Sequence, residues 1–178
     1  MLKERSLQLG DFTLSSGKKS KYYVDARQTT MSAKGLEVIG SLGVAMISRA
    51  QWEAGSVGGL TLGADPVAYA ISAASRRTHP VLDAFTVRKQ AKEHGARRRI
   101  EGCFSKGDHV VVVEDVITTG GSALTAAAAV EEAGGVVVGI LGVVDRMEGG
   151  RKAIEEAGYS VQTMTTIRDL GVEPDSPG

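Results

Sequence analysis

The sequence predicts an α/β fold in which a central parallel sheet is covered by helices on both faces. Short Val-rich runs alternate along the chain with segments of helical periodicity, which is the pattern of successive βαβ units. The Val-rich runs are continuously apolar, as expected for strands that are buried on both faces. The 178 residues suit one domain, so we predict a single domain over residues 1–178, with ligands at the C-terminal ends of its strands.

The N-terminal half is predicted to combine a hairpin with helices and strands of the sheet. Gly17 lies between two mixed apolar and polar runs and favours the hairpin turn, and apolar residues then recur at helical spacing over 31–50. Pro66 suits the first turn of the next helix, with Asp65 as its possible cap. The predicted elements are a short helix over 1–10, a hairpin over 12–24, a helix over 31–50, a strand over 56–62, a helix over 67–77 and a strand over 81–87.

The C-terminal half begins with a segment that lacks any apolar periodicity. Residues 88–102 are polar and basic with two glycines, and loops of this length usually carry a function. Three further strands and two helices follow, because Val-rich and Ala-rich runs alternate again. The predicted elements are a mobile loop over about 88–102, a strand over 109–113, a helix over 122–133, a strand over 136–144, a helix over 149–157, a strand over 159–165 and a frayed tail over about 172–178.

The composition excludes several classes of protein. Lys and Arg number 21 against 21 Asp and Glu, which argues against nucleic-acid binding through overall positive charge. Aromatic residues make up 4%, too few for base-stacking platforms, and no apolar run is long enough to span a membrane. The lone Cys103 excludes an internal disulfide and reads as a spectator thiol. We therefore expect a cytoplasmic protein.

The strongest functional signal is the segment VVVVEDVITTGGS over residues 110–122. Four valines predict a buried strand, and the adjacent acids Glu114 and Asp115 follow at its C-terminal end. Gly120 and Gly121 then open a helix, whose N-terminal amides favour a phosphate. The paired acids would repel a bare phosphate, so they suit sugar hydroxyls or hydrated Mg²⁺ better.

Other phosphate motifs do not fit this segment. No Lys follows the glycines, so it is not a P-loop, and no G-x-G-x-x-G pattern supports a dinucleotide site. The alternative without function is an ordinary strand–turn–helix connection. Such a turn does not need two adjacent acids followed by three small hydroxyl residues, so we favour the functional interpretation.

This segment is similar to the signature of type I phosphoribosyltransferases, which bind 5-phosphoribosyl-1-pyrophosphate (PRPP). The resemblance implies their fold, with a small N-terminal hood over about 1–30. It implies that Glu114 and Asp115 hold the ribose hydroxyls, and that Asp115 is among the catalytic residues. The implied cofactor is Mg²⁺, held mainly by PRPP and linked through water to one of these acids. The other implied contacts of PRPP are Val116, Ile117, Thr118, Thr119, Gly120, Gly121 and Ser122, of which 118–122 cradle the 5′-phosphate.

Residues 12–27, FTLSSGKKSKYYVDAR, resemble the N-terminal region of the orotate phosphoribosyltransferase family. In that family the region covers the nucleobase, with an aromatic residue near the orotate ring. The resemblance places Tyr23 at the base and implies that Thr118 touches orotate as well as phosphate. The alternative is that Tyr22 and Tyr23 only pack within the hood or core.

The segment RKQAKEHG, residues 88–95, resembles the mobile catalytic loop of the same family. The matching residues are Arg88, Lys89, Lys92 and His94, and the resemblance makes Lys92 and His94 catalytic. Cations placed there would stabilise the charge that grows on departing pyrophosphate, and a closed loop would exclude water. The alternative is a solvated basic turn, which is our interpretation of the arginines at 97–99.

Arg146 follows a Val-rich strand in the sequence Val143-Val144-Asp145-Arg146. In the resembling family this arginine meets the orotate carboxylate, and a guanidinium pairs well with a planar carboxylate. The alternative is an arginine that pairs with Asp145 or Glu148 at the end of the strand.

Two sites depart from some family members. Ser15 stands where they carry a Lys, and Leu62 and Gly63 stand where they carry an aromatic–Lys pair. Both changes remove a positive charge near the leaving group. We expect the loop at Leu62 and Gly63 to contact pyrophosphate through its backbone amides, with Lys18 or Lys19 as candidates to replace the charge.

The combined motifs imply the activity of the orotate phosphoribosyltransferase family. Orotate and PRPP would give orotidine 5′-monophosphate and pyrophosphate in de novo pyrimidine synthesis, and no nucleic-acid or membrane partner is expected. The family implies a homodimer whose loop at 88–102 contributes to the neighbouring site. Two alternatives stay open: a phosphoribosyltransferase for another base such as a purine, and a non-catalytic RNA-binding regulator on the same fold.

Two apolar features have simpler interpretations. Trp52 lies near a predicted helix end and suits packing better than ligand contact. The apolar face of the helix over 32–50, with Met31 and Met46, is either core or a dimer interface, and the sequence does not separate the two.

Overall fold

The protein is described from a computed structural model, which covers residues 1–13, 17, 19–78, 80–90 and 99–175. The strands are β1 (Leu7–Thr13), β2 (Lys19–Val24), β3 (Ser56–Leu60), β4 (Asp83–Val87), β5 (Ile100–Gly102), β6 (His109–Ile117), β7 (Val136–Asp145) and β8 (Val161–Thr166). Six of them form one sheet in the order β5-β4-β3-β6-β7-β8. Neighbouring strands are parallel except β4 and β5, which are antiparallel at one edge. The predicted α/β fold with a central, mostly parallel sheet is confirmed.

Helices cover both faces of this sheet. They are α1 (Leu2–Arg5), α2 (Arg27–Thr30), α3 (Ala33–Arg49), α4 (Ala64–Ser75), α5 (Gly121–Glu132) and α6 (Gly150–Glu156), and a 3-10 turn follows at Arg168–Leu170. Successive residues of a strand face opposite sides, so β6 feeds two cores. Val111 and Val113 pack in the core beneath α3 and α4, whereas Val110 and Val112 pack in the core beneath α5 and α6. The continuous valine run is therefore explained by burial on both faces.

Helices α3 and α4 approach each other closely because glycines line their contact. A side chain at Gly40 would overlap the Ala70 carbonyl, and one at Gly43 would press against Ile71. Val38 and Leu42 lie on the outer side of α3 and are exposed. The helix therefore has a core face, which includes the half-buried Met46, and also an open apolar face.

The antiparallel pair β1 and β2 forms a hood beside the main sheet. Side chains alternate along β2, so that Ser20, Tyr22 and Val24 are buried while Tyr23 is partly exposed on the opposite side. Tyr22 and Val24 join the core beneath α3 and α4, which fixes the hairpin to the body. This alternation buries Tyr22 and leaves Tyr23, the residue that the resemblance places at the base, on the open side of β2.

Several predicted boundaries are wrong at the N-terminal side. Only residues 2–5 of the predicted helix over 1–10 are helical, because β1 begins at Leu7 and pairs with β2. The helix predicted over 31–50 is observed as α3 (Ala33–Arg49), and Ser32 caps its start by accepting from the Gly35 amide. Asp65 is not a cap, since α4 begins at Ala64. Its carboxylate instead accepts hydrogen bonds from Thr61 and Thr86.

Two corrections concern the functional segments. The predicted loop over 88–102 ends in strand β5, which pairs with β4 through residues 100–102, and residues 91–98 lie outside the described part of the chain. The strand predicted over 109–113 continues to Ile117, because β7 pairs with it as far as Asp145. Glu114 and Asp115 therefore belong to the strand. Smaller shifts occur elsewhere: β4 begins at Asp83, α5 spans 121–132, α6 spans 150–156, and β8 spans 161–166.

Trp52 is buried, as its interpretation as a packing residue predicts. Its indole covers Gly139 of β7, where any side chain would overlap the ring. Cys103 is exposed and free. No helix within the described residues is both long and apolar enough to cross a membrane.

Candidate active site

A cavity of about 650 Å³ opens at the carboxyl ends of β3 and β6, beside the hood. Its wall combines Tyr23 of the hood, the loop at Leu62 and Gly63, the two acids of β6 and Arg146. The chain brings these residues together because parallel strands end at the same edge of the sheet. A cavity of similar size, about 680 Å³, lies between β5 and α5, but none of the predicted site residues lines it.

The start of α5 forms a small separate hollow beside this cavity. Residues 116–123 and Glu114 line it, so all of 118–122 contribute to one concave surface. Gly120 has a left-handed backbone with φ of +83°, and a side chain there would lie 2.9 Å from the Gly150 carbonyl oxygen. The Gly150 amide also donates to the Thr118 carbonyl at 2.9 Å. The start of α6 therefore supports the turn that aims the α5 amides outward.

Val116 and Ile117 contribute their backbone to this hollow more than their side chains. Ile117 is 1% exposed and packs in the core beneath α5, next to Gly142. Val116 is half-buried and packs against the opposite core. Their side chains anchor the end of β6, so the residues that follow are held in place.

Glu114 is almost fully buried, and its Oε2 atom has no hydrogen-bond partner. Burial, and then the neighbouring Asp115 charge, raise the pKa of Glu114 to about 9. A buried carboxyl oxygen without a partner is costly, so its retention at a cavity wall points to a ligand.

Asp115 is half-buried and accepts a hydrogen bond from the Val116 amide at 3.0 Å. Gly63 packs directly against its carboxylate, and a Cβ atom at Gly63 would overlap the Asp115 oxygens. The glycine therefore lets the loop after β3 close onto the end of β6. Asp65 holds the same loop against β4 through the Thr61 and Thr86 hydroxyls, at 2.7 and 2.9 Å.

Arg146 is buried at the hood end of the cavity. Its Nη2 atom lies 2.7 Å from Glu148 Oε1 and 3.6 Å from Asp175 Oδ2, and its Cζ lies 4.6 Å from the centre of the Tyr22 ring. The Tyr22 hydroxyl donates to Glu148 at 3.1 Å, and burial raises the pKa of Tyr22. The Nε atom is buried without a partner. The guanidinium of Arg146 is thus held by Glu148, Asp175 and the Tyr22 ring, while its Nε–H donor has no acceptor.

The sequence alternative for Arg146 holds in part. The residue pairs with Glu148, as one of the two suggested partners, while the other, Asp145, bonds Arg151 and the Met147 amide instead. The pairing does not exclude a ligand, since Arg146 also lines the cavity. Tyr23 lines the cavity as well, with its ring centre 5.8 Å from that of Phe12.

The residues predicted from the basic loop are placed only in part. Lys89 lines the main cavity, whereas Arg88 lies in the neighbouring hollow with its Nη1 atom 3.5 Å from Glu101. Lys92 and His94 lie outside the described residues, as do Ser15 and Lys18. Lys19 donates to Thr13 within the hairpin at 2.6 Å and does not line the cavity.

Sequence reasoning missed two charged residues of the cavity wall, Asp25 and Arg27. They follow the hairpin directly and belong to the segment that was matched to the family. Their spacing, Asp-x-Arg, was the available signal. This spacing does not predict that the two side chains face the cavity. That placement follows from the packing of Tyr22 and Val24 in the core, which directs the chain toward the cavity after β2.

No family model matches the chain. It is similar over most of its length to curated and solved proteins. It is 48% identical over 172 residues to the orotate phosphoribosyltransferase of Corynebacterium glutamicum (strain R), which covers 97% of this chain and 91% of that protein.

Two crystal structures of the Mycobacterium tuberculosis H37Rv orotate phosphoribosyltransferase are similar in fold. The complex with Fe(III) dicitrate has a TM-score of 0.85 at 46% identity, covering 96% of this chain and 95% of that one. The complex with PRPP has a TM-score of 0.80 at 42% identity, covering 96% and 94%.

Proposed function

This chain belongs to the orotate phosphoribosyltransferase family, and we propose that the cavity at the carboxyl ends of β3 and β6 is its active site. The reaction transfers the phosphoribosyl group of PRPP to orotate, giving orotidine 5′-monophosphate and pyrophosphate. Neither sequence alternative, a purine enzyme or a non-catalytic RNA-binding regulator, agrees with the activity named for the relatives at 48% identity.

PRPP fits the cavity in one direction. The hollow at 118–122 suits the 5′-phosphate, because the amides at the start of α5 and three hydroxyl side chains converge there. Glu114 and Asp115 then meet the ribose hydroxyls, which can donate to the Asp115 carboxylate and to the carbonyl oxygen of the Glu114 carboxyl group, which is protonated at neutral pH. The pyrophosphate then extends toward Gly63 and Lys89. Lys92 and His94, in the loop that follows Lys89, are the proposed catalytic residues.

Orotate fits the hood end of the cavity. The single observation that carries this placement is Arg146, whose buried Nε atom has no partner while Glu148 and Tyr22 fix the guanidinium. A planar carboxylate is the natural partner for such a group. Tyr23 flanks this region from the open side of β2, and Thr118 lies between the base and the phosphate hollow.

Mg²⁺ is part of the proposal. Asp115, or Glu114 once it has released its proton, provides the hard oxygen donors that Mg²⁺ prefers, and Glu114 Oε2 is unpaired. The described residues contain no cluster of three or more His, Cys, Asp or Glu that could hold an ion, and the proposal is that PRPP mainly holds the Mg²⁺. When bound, Mg²⁺ would offset the charge of the pyrophosphate.

The protein's own contribution to the mechanism is positioning and charge stabilisation. The cradle and the paired acids hold the ribose so that the anomeric carbon faces the base. Arg146 orients orotate so that its ring nitrogen attacks that carbon directly, without a covalent enzyme intermediate. Cations at the pyrophosphate end stabilise the leaving group most when its bond to the ribose breaks.

We also propose a homodimer whose loop at 88–102 reaches the neighbouring site. The exposed Val38 and Leu42 on the outer face of α3 support a protein interface. A cytoplasmic location belongs to the same proposal, since the exposed free thiol of Cys103 suits a reducing compartment.

The test of the site follows the consumption of orotate and uracil with PRPP and Mg²⁺. We expect wild-type protein to use orotate and to lose activity on chelation. Arg146→Gln should raise the KM for orotate at least about tenfold, because a charge-assisted pair is lost. The KM for PRPP should not change, and Arg168→Gln, at an exposed arginine remote from the cavity, is the control.

Arg146→Gln leaves Glu148 without its arginine, so the double variant with Glu148→Gln provides a second measurement if the single variant is unstable. An unchanged KM for orotate in either folded variant would remove Arg146 from the base site.

A further inference from the structure

Three cations line the described part of the cavity, and they differ in how far their charge is already compensated. Arg146 is buried between Glu148 and Asp175. Lys89 and Arg27 both open onto the cavity. Within the residues that the structure describes, Lys89 and Arg27 are therefore the cavity cations that a polyanionic ligand can reach, although Arg27 is also paired with Asp25 through its Nε atom.

Arg27 stands beside the loop that approaches the end of β6. It shares the cavity wall with Leu62, Gly63 and Asp115, and it lines a second hollow together with Leu62. The pKa of Arg27 is raised mainly by its hydrogen bond to Asp25, and the charge of Asp115 adds to this effect. Arg27 therefore lies on the same cavity wall as Asp115 and the loop at Leu62 and Gly63.

Asp25 holds the Arg27 side chain in one orientation. Its Oδ1 atom accepts from the Arg27 backbone amide at 3.2 Å and from Nε at 2.8 Å. The side chain is 44% exposed, and over the described ranges no hydrogen bond occupies its two terminal nitrogens. The guanidinium is thus fixed at its inner edge and open at its outer edge.

We infer that Arg27 is a further substrate-binding residue, which pairs with the pyrophosphate of PRPP and with the pyrophosphate product. The inference rests on the proposed active site and specifies which protein group meets the leaving group there. A guanidinium presents two parallel donors that match two phosphate oxygens. The anchoring by Asp25 lowers the entropy that the side chain loses on binding.

This assignment replaces the lysines that the sequence suggested as compensation. Lys19 is engaged with Thr13 in the hairpin and lies outside the cavity wall, and Lys18 lies outside the described residues. Arg27 instead stands next to Leu62 and Gly63, where the positive charge is missing from the loop itself. Arg27, the first residue of α2, then supplies the positive charge that the loop at Leu62 and Gly63 lacks.

The test compares Arg27→Ala and Arg27→Lys with the control Arg168→Ala, another exposed arginine whose Nε lies near a carboxylate, at 3.2 Å from Glu173. Kinetics are measured in both directions, with PRPP and orotate forward and with orotidine 5′-monophosphate and pyrophosphate in reverse. Arg27→Ala should raise the KM for PRPP and for pyrophosphate about tenfold. The KM for orotate and for the nucleotide should stay within about twofold, and Arg27→Lys should be intermediate.

A direct titration of the wild type and both Arg27 variants with magnesium pyrophosphate completes the test. An unchanged KM for PRPP and pyrophosphate in Arg27→Ala overturns the assignment. A rise for orotate as large as that for PRPP also overturns it, because it would indicate general damage to the cavity. Failure of the wild type to use orotate would instead contradict the proposed function, and the titration would still decide the role of Arg27.

Discussion

Glu114 shows how a single buried carboxyl links the stability of the fold to its site. Its pKa of about 9, against an ordinary value near 4.5, means that the folded protein holds a proton that the unfolded chain releases. Stability from this group is therefore complete below about pH 4.5 and is lost as the pH rises toward 9. The loss follows from the one proton that the unfolded chain releases from Glu114 over that range.

This gives a prediction for the free energy of unfolding without ligand. Wild-type protein in chelator should lose stability between pH 5 and pH 9 through this group, and Glu114→Gln should flatten that part of the curve because glutamine does not titrate. Urea unfolding across this pH range measures both. Parallel curves for the two proteins would show that Glu114 titrates normally.

Arg146 is a second buried charged residue, and its ion pair balances desolvation against the attraction between opposite charges. A buried ion pair contributes little net stability, because desolvation offsets the attraction between its charges. Glu148, Asp175 and Tyr22 nevertheless surround one guanidinium. Each contact restricts the rotation of the guanidinium, which suits the proposed role of Arg146 in binding the orotate carboxylate.

At the scale of elements, the connection from β6 to α5 depends on contact with α6. Gly120 and Gly149 both have left-handed backbones and both stand before the first residue of a helix. A side chain at Gly120 would meet the Gly150 carbonyl at 2.9 Å, whereas one at Gly149 would meet open space. A substitution at Gly149 therefore tests only the free-energy cost of the left-handed backbone. A substitution at Gly120 tests that cost together with the cost of the steric overlap with Gly150.

We predict that Gly149→Ala destabilises the protein by about 1 kcal/mol, the cost of a left-handed backbone for a residue with Cβ. Gly120→Ala should cost more and should also raise the KM for PRPP, because the amides of the phosphate hollow would shift. Chemical unfolding and PRPP kinetics on both variants provide the comparison. Equal losses of stability, with PRPP kinetics unchanged, would show that the α6 contact does not shape the hollow.

At the scale of the whole molecule, the open question concerns how many chains complete one site. Lys89 lines the cavity, and the proposed catalytic residues Lys92 and His94 belong to the loop that the proposed homodimer would share. Exposed Val38 and Leu42 indicate a surface suited to such contact. A test of the dimer must therefore inactivate the loop in one subunit and the acids of β6 in the other.

Lys92→Ala alone should lower kcat more than it weakens orotate binding, because the charge it supplies matters most as pyrophosphate leaves. Asp115→Asn should disable the body of the site instead. Mixing the two inactive proteins under conditions of subunit exchange should restore part of the activity, since one site of each hybrid is then intact. A mixture that stays inactive after verified exchange would mean that each loop serves its own subunit.

Several predictions from the sequence are supported by the structure because they rest on local chemistry. The valine runs predicted buried parallel strands, and β6 and β7 have that character because each feeds two cores. The glycines and hydroxyls of 118–122 predicted a phosphate site; a hollow is present there, and its binding of phosphate stays a prediction. Element ends were less certain: β6 continues past its acids only because β7 offers a partner as far as Asp145.

The sequence by itself determined the fold class and predicted the motif proposed to bind PRPP, since periodicity, glycine placement and paired acids are properties of short segments. Tertiary structure decided which of two adjacent tyrosines faces the cavity, that Arg146 pairs with Glu148 and not with Asp145, and that Asp25 and Arg27 belong to the cavity wall. These outcomes depend on how the hood docks onto the body. Docking is a sum of contacts between residues far apart in the chain, and no short segment encodes it.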